Sequence, residues 1–336
     1  MDNFKFKSIV SNGTGEIKDI AIIDKNINDL PVGDVLIKVA YSGLNYKDAL
    51  SARGHLGITK KYPHTPGIDL SGVVVDSKNQ NFQSGTKVLV TGYDLGMNTS
   101  GGFQEFVKVP SDWVVKLPKN LTLKQAMIYG TAGFTSALAF NRFATVGIDK
   151  NSGKLLITGA TGGVGILSIA IAKKIGYHTV ASTGKLELSE LLLELGANEV
   201  IDRNSIIDET KRPLLSRNWK FVIENAGGIT LNSVIRSLDK GGAVAIIGNV
   251  TGDEIHTSVY PFLLRGIALL GIESAETNME LRLSLWDKLA NDWRINNFEK
   301  IHKTISLEEV PNELGKILGG TQSQKVVVAI DESLDK

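Results

Sequence analysis

The chain has 336 residues, 37 Lys and Arg against 36 Asp and Glu, a formal charge of +1 and no cysteine. That length makes about two domains with room for a full core, and the missing cysteine excludes disulfides, thiolate nucleophiles, iron–sulfur clusters and every zinc site that needs sulfur. The balanced charge argues against a polyanion-binding surface, which takes clustered cations.

Residues 1–10 interleave charged and apolar side chains without a long apolar run, so no signal peptide is expected and the protein is read as cytoplasmic. The first 120 or so residues are β-rich. Short β-branched runs at 35–40, 72–75, 87–90 and 106–109 are separated by Gly, Pro, Asn and Asp, which predicts a compact barrel-like domain. From residue 155 the pattern changes. Apolar strands at 155–158, 179–182, 199–201, 221–223, 243–247 and 268–272 alternate with helical patterns such as 186–195 and 231–238, each with a Gly past its last apolar residue. This alternation predicts a parallel sheet covered on both faces. The tail, a helix over 305–318 and a strand over 326–330, is placed to return to the first domain.

Residues 155–172 carry no charge over a length near that of a membrane span. They also contain Thr158, Thr161, Ser168 and glycines at 159, 162, 163 and 165, which suit a strand, a turn and a helix over 166–175. Glycines at 159, 162 and 165 give a tight turn whose backbone N–H groups approach a pyrophosphate at a helix N-terminus. The spacing departs from strict G-x-G-x-x-G, so a turn without a ligand stays open. About 20 residues further on, NAD-selective folds place an acid on the ribose 2′-hydroxyl. Here Ser182, Thr183, Gly184 and Lys185 stand there, with Arg203 after the third strand. Hydroxyls and cations suit a 2′-phosphate, so NADP(H) is the expected cofactor. Lys185 and Arg203 equally suit solvated surface positions, and Glu187 leaves NADH open.

The order of parts is also familiar. Gly-Leu-Asn-Tyr-Lys-Asp at 43–48, Pro-His-Thr-Pro-Gly-Ile-Asp at 63–69, Gly-Thr-Ala-Gly-Phe-Thr at 130–135, Thr161-Gly162-Gly163-Val164-Gly165, Pro-Phe-Leu-Leu-Arg at 261–265 and Gly-Ile-Glu-Ser at 271–274 run nearly end to end. Together they resemble the medium-chain dehydrogenase/reductase superfamily, its zinc-free quinone oxidoreductase branch, and within that the acryloyl-CoA reductase group. The resemblance implies a GroES-like catalytic domain from residues 1–125 and 300–336, a Rossmann doubly wound parallel sheet over 126–299, and a homodimer joined at the Rossmann sheet edge. Zinc-dependent relatives hold metal with a Cys where this chain has Asn45 and with a His-Glu pair where it has Ile68-Asp69. No metal is therefore expected, and His55 and His64 read as surface or loop histidines.

The activity so implied is NADPH-dependent, zinc-independent hydride transfer to an activated double bond, in acryloyl-CoA, a related enoyl thioester or an enal. A quinone acceptor is the alternative, and a non-catalytic dinucleotide-binding sensor or structural protein is a reading of another class. Hydrogen-bond donors would then stabilise the oxygen that gathers charge. Asn45 and Tyr46 are the candidates, with Thr131 against the nicotinamide and Tyr46 also on the cofactor. Thr161, Gly162, Gly163 and Val164 would cradle the pyrophosphate, and Asn249, Leu263 and Ser274 would lie near the cofactor. Asp48 suits orienting Tyr46 or Lys47, or capping the helix that starts there. Tyr46 or solvent would protonate the α-carbon. Arg53, Lys60 and Lys61 suit the phosphates of a CoA thioester or plain loop positions, and no contact is assigned to Gln324-Lys325.

Overall fold

The structure is a computed structural model and describes residues 4–15, 19–147 and 149–336. Residues 1–3 of the N-terminal stretch 1–10 lie outside them. The chain divides into two units, residues 1–131, 275–290 and 301–336, and residues 132–274 and 291–300.

In the first unit, β1 (Lys5–Ser11) and β2 (Ile20–Asn26) form an antiparallel pair. The main sheet contains β3 (Val35–Leu44), β4 (Asp69–Ser77), β5 (Lys87–Thr91), β6 (Phe106–Val109), β7 (Val115–Lys116), β14 (His302–Ile305) and β15 (Lys325–Ala329). Its order is β14-β15-β3-β4-β5-β7, with β6 paired to β3. β3 is long because its sequence is almost wholly apolar or β-branched, and Val35, Ile37 and Val39 pack with Leu70, Val74, Val88 and Val90. The last strand returns here, antiparallel to β3, with Val326 opposite Leu44. α1 (Tyr46–Arg53) and α9 (Val310–Leu318) pack over Leu44, Val326 and Val328 through Ala49, Ala52, Val310 and Leu314. The helix expected over 305–318 begins only at Val310, because Ile305 completes β14 and a proline in the first turn of α9 presets the helical φ. α7 (Met279–Ala290) also belongs to this unit, although its residues fall in the segment expected for the Rossmann domain. Arg282 on α7 explains it: the guanidinium donates to the carbonyls of Thr91 and Ala275, both at 2.9 Å, and lies 4.5 Å from the centre of the Tyr93 ring.

α2 (Leu123–Thr145) breaks at Gly130 (φ 49°, ψ −153°), next to the unit boundary. The second unit holds a six-stranded, wholly parallel sheet of β8 (Leu155–Ile157), β9 (Thr179–Thr183), β10 (Glu199–Asp202), β11 (Trp219–Glu224), β12 (Leu238–Ile246) and β13 (Ala268–Gly271). Its order, β10-β9-β8-β11-β12-β13, reverses between β8 and β11, which is where doubly wound sheets bind ligands. Leu156, Val180, Val222 and Val244 are sealed in its core, each worth about 1.5–3 kcal/mol of burial.

The helices of this unit are α3 (Gly163–Ile175), α4 (Ser189–Leu195), α5 (Gly228–Ser237) and α6 (Tyr260–Arg265), with α8 (Phe298–Ile301) following near the end of the chain. The pattern at 186–195 opens as a 3-10 turn and becomes α-helical only at Ser189. The helix expected over 231–238 starts at Gly228 and ends at Ser237, because Leu238 is extended and opens β12; no glycine closes it. Residues 155–172 form β8, the glycine turn and most of α3. Among the described residues no helix is long and apolar enough to cross a membrane.

Candidate active site and dinucleotide cradle

Three strand ends and the break in α2 converge on Asn45. β3 ends beside it, β4 begins at Asp69 and β15 begins at Lys325. The Asn45 amide donates to the Gly43 carbonyl at 3.0 Å and to Asp69 Oδ2 at 2.8 Å. Lys325 Nζ donates to the Leu44 carbonyl at 3.1 Å and to Asn45 Oδ1 at 3.0 Å, and stands 3.6 Å from Asp69 Oδ2. Thr131 completes the ring, its N–H donating to Asp69 Oδ2 at 2.9 Å and its hydroxyl to Asp69 Oδ1. Glycine is required at two points of this wall. A Cβ at Gly43 would lie 2.8 Å from Asp69 Oδ2, and one at Gly130, where φ is positive, would overlap the same atom.

Asp48 is fully buried and plays the capping part. Its Oδ2 accepts from Asn45 N–H at 2.7 Å, and its Oδ1 from the N–H groups of Gly67 and Ile68 at 3.2 and 2.8 Å. Burial and the Asp69 charge push Asp48 up to about 7, against the pull of those donors and of Lys325. Burial likewise draws the Lys325 ammonium below its ordinary value, opposed by Asp69 and Asp48.

Within this unit the three residues expected to be catalytic differ in what they have left to offer. Both amide hydrogens of Asn45 are engaged by protein oxygens, and Thr131 donates to Asp69. Tyr46 is 40% exposed, and its hydroxyl bonds to none of the described residues. It is the available donor of the set.

In the second unit, Gly159 (φ 57°) turns the chain from β8, and a Cβ at Gly165 would overlap its carbonyl oxygen, so helix and turn close up only on glycine. Gly162 caps α3, and the N–H groups of Gly163, Val164 and Gly165 make up its first turn. Ser182 and Thr183 end β9 and are buried; Thr183 Oγ1 lies 3.3 Å from Thr161 Oγ1 and accepts from Lys185 N–H at 3.0 Å. The Arg203 guanidinium covers Gly184, where a Cβ would lie 2.8 Å from its Nε. Burial draws the Lys185 ammonium below its ordinary value, offset in part by Glu187. Thr161, Ser182, Thr183, Gly184, Lys185 and Arg203 are thus brought together.

Two buried polar atoms here, Ser182 Oγ and Asn225 Oδ1, have no partner among the described residues. Asn225 donates through its amide to the Thr158 carbonyl at 2.8 Å, which fixes the oxygen as a waiting acceptor at the end of β11. A glycine cradle with a buried free hydroxyl and a buried free carbonyl oxygen fits a dinucleotide. Ser274 accepts from the Thr135 hydroxyl at 2.9 Å. Asn249 is exposed on the loop after β12, and Leu263 is 74% exposed on α6.

Sequence reasoning passes over Asn225, and it gives Asp69 and Lys325 no part. The signal for the last two is faint but present: single ionisable residues inside the apolar runs Ile68 to Leu70 and Lys325 to Ala329.

A parallel six-stranded unit with a glycine cradle at its switch point, and a β-rich unit with a polar knot at the ends of its strands, define the class: a two-unit dehydrogenase-type chain. Profiles of two families match, an alcohol dehydrogenase GroES-like domain over residues 31–119 and a zinc-binding dehydrogenase over residues 163–290. The chain belongs to the medium-chain dehydrogenase/reductase superfamily of oxidoreductases.

It is 38% identical to the acrylyl-CoA reductase AcuI of Ruegeria pomeroyi, over 93% of this chain and 94% of that one. The crystal structure of Bacillus subtilis protein YhfP with NAD bound superposes with a TM-score of 0.91 at 41% identity, covering 97% of this chain and 100% of that one. The YhdH oxidoreductase of Salmonella enterica in complex with NADP gives 0.91 at 34% identity, covering 96% and 99%.

The zinc in the second family's description has no matching donor set here. Where the resemblance would put metal ligands, an amide and a carboxylate are already bonded to the ammonium of Lys325. Among the described residues no three metal-binding side chains come together.

Proposed function

We propose that this chain is an NADPH-dependent, zinc-independent reductase of activated carbon–carbon double bonds, with acryloyl-CoA or a related enoyl thioester or enal as acceptor. The observation that carries this reading is the Lys325–Asn45–Asp69 knot, a cation of the protein's own at the positions where the resemblance to zinc-dependent dehydrogenases would put metal ligands. Without a metal to polarise an oxygen, the electrophile must arrive already conjugated. The likeness to an acrylyl-CoA reductase supports it.

When bound, NADPH would supply the hydride for the β-carbon of the acceptor. The glycine turn and the first turn of α3 would hold its pyrophosphate, and Ser182, Thr183, Lys185 and Arg203 would receive the 2′-phosphate. Asn225 Oδ1 would be open to a hydroxyl donor of the cofactor. As charge gathers on the carbonyl oxygen of the acceptor, the Tyr46 hydroxyl donates to it, while Asn45 and Thr131, tied to Asp69, keep the wall rigid. Tyr46 or solvent then delivers a proton to the α-carbon.

Steady-state oxidation of NADPH with acryloyl-CoA, acrolein and benzoquinone tests the proposal. The expected order of kcat/KM is acryloyl-CoA, then acrolein, then benzoquinone. Preference for benzoquinone would make the chain a quinone reductase, and no oxidation with any acceptor would leave only a dinucleotide-binding protein.

The proposed assembly is a cytoplasmic homodimer joined along β13, the edge of the parallel sheet, where Val259, Tyr260, Leu263 and Leu264 expose apolar surface close by in sequence. Sedimentation of Leu263→Glu as a monomer, against a dimeric parent, is the expected outcome.

A further inference from the structure

We propose that the cationic turn after α1 binds the phosphates of a coenzyme A thioester. The inference rests on the enoyl-thioester reading above and names the part of the protein that tells such a substrate from a quinone.

Residues 46–64 carry Lys47, Arg53, Lys60 and Lys61 and a single acid, Asp48, which is buried and bonded to three backbone N–H groups. The turn is held in shape. Gly54 ends α1 in the left-handed conformation (φ 92°), and His55 N–H returns to the Leu50 carbonyl at 3.0 Å. The hydroxyls of Ser51 and Thr59 bond at 2.7 Å, and the Tyr62 hydroxyl donates to the Ser51 carbonyl at 2.6 Å. Thr59 and Tyr62 therefore both reach Ser51, so Lys60 and Lys61 between them are held at the end of α1 that carries Arg53.

Arg53, Lys60 and Lys61 are all exposed, and among the described residues none forms an ion pair or a side-chain hydrogen bond. Among the described residues, two acids on the adjoining segments are engaged by other groups. Asp94 accepts from Asn98 and Thr99, each at 2.9 Å, and Asp19 from Thr14. Exposed like charges gathered on one turn repel, and an anion with several phosphates relieves that repulsion. Guanidinium and ammonium groups are both side chains that recognise phosphate oxygens, the first in bidentate fashion.

Position points to the occupant. Tyr46 opens α1 and Arg53 closes it, about 10 Å further along at the helical rise. That is within the reach of the pantetheine arm, which separates the thioester from the diphosphate and the 3′-phosphate. Enals and quinones have no group to place there.

The test uses the whole protein with its dinucleotide site saturated by NADP+, so that free CoA reports on the patch alone. Calorimetry should show CoA binding at least tenfold weaker in the triple variant Arg53→Ala, Lys60→Ala, Lys61→Ala, and restored in Arg53→Lys, Lys60→Arg, Lys61→Arg. In steady state, the ratio of KM for acryloyl-CoA to KM for acryloyl-pantetheine should rise about tenfold in the alanine variant. Equal CoA affinity in parent and alanine variant, or no CoA binding by the parent, overturns the proposal. If CoA binds the parent tenfold better but neither thioester is reduced, the patch stands and the reductase reading falls.

Discussion

Lys325 Nζ lies 3.6 Å from Asp69 Oδ2, and both side chains are sealed from water. A charge in such a place persists only because its partner does. Lys325→Met should therefore cost about 3–5 kcal/mol, the range for leaving one member of a buried pair alone. The double variant Lys325→Met, Asp69→Asn should recover part of that, because the stranded carboxylate is gone. Urea denaturation of the parent, both single variants and the double variant gives the coupling. Strictly additive losses would mean that the pair does not interact.

At the end of β9, hydroxyls and cations stand where an acid would select NADH, and Arg203 covers Gly184. A charge-assisted hydrogen bond is worth about 1.5–3 kcal/mol, so Lys185→Ala and Arg203→Ala should each weaken NADPH about 10- to 100-fold. NADH should lose less than about threefold, since it has no 2′-phosphate to reach either cation. Fluorescence titration with both cofactors decides it. Equal losses for the two cofactors would show that neither cation reads the 2′-phosphate.

The two units differ in how openly the sequence declares them. The parallel sheet is plain, because strands such as Leu155 to Ile157 and Phe221 to Ile223 are buried on both faces and read as unbroken apolar runs. The glycine turn is equally plain, since only glycine lets Gly165 approach the Gly159 carbonyl. The polar knot is hidden. Asp69 and Lys325 are 256 residues apart in the numbering and meet only because β15 pairs with β3. No local pattern reports such a pairing. Resemblance points to Asn45, but its hydrogen bonds, which leave Tyr46 as the available donor, exist only in the folded chain.

Burial and Asp69 hold Asp48 at about 7, above its ordinary 3.8. Between those values the folded chain keeps a proton that the unfolded chain has released. Its contribution to stability is thus full below the unfolded value and lost as pH rises through the folded one. Melting temperature should fall from pH 5 to pH 8, and Asp48→Asn should remove that component of the slope even though it also weakens the cap. Asp69 and Lys325 face the same group, so the comparison of slopes, not of absolute temperatures, isolates Asp48. An infrared band from a protonated carboxyl at pH 5.5 that disappears by pH 8.5 would report the same titration in the parent. Parallel slopes in parent and variant would show that Asp48 stays ionised throughout.

Tyr46 and Asn45 are neighbours with opposite commitments, and kinetics should separate them. The Tyr46 hydroxyl has no partner among the described residues, whereas Asn45 is held by Gly43, Asp69 and Lys325. If Tyr46 donates to the oxygen that gathers charge, Tyr46→Phe removes an interaction that strengthens in the transition state. The expected loss is about 100-fold in kcat for acryloyl-CoA, with KM within about threefold and stability unchanged. Asn45→Ala instead leaves Asp69 and Lys325 short of a partner, so its loss of kcat should come with a fall in stability of about 1–3 kcal/mol. Rates and urea midpoints measured on the same preparations tell the two apart. A Tyr46→Phe enzyme with full kcat would move the donor role to another group and leave Tyr46 as a cofactor contact at most.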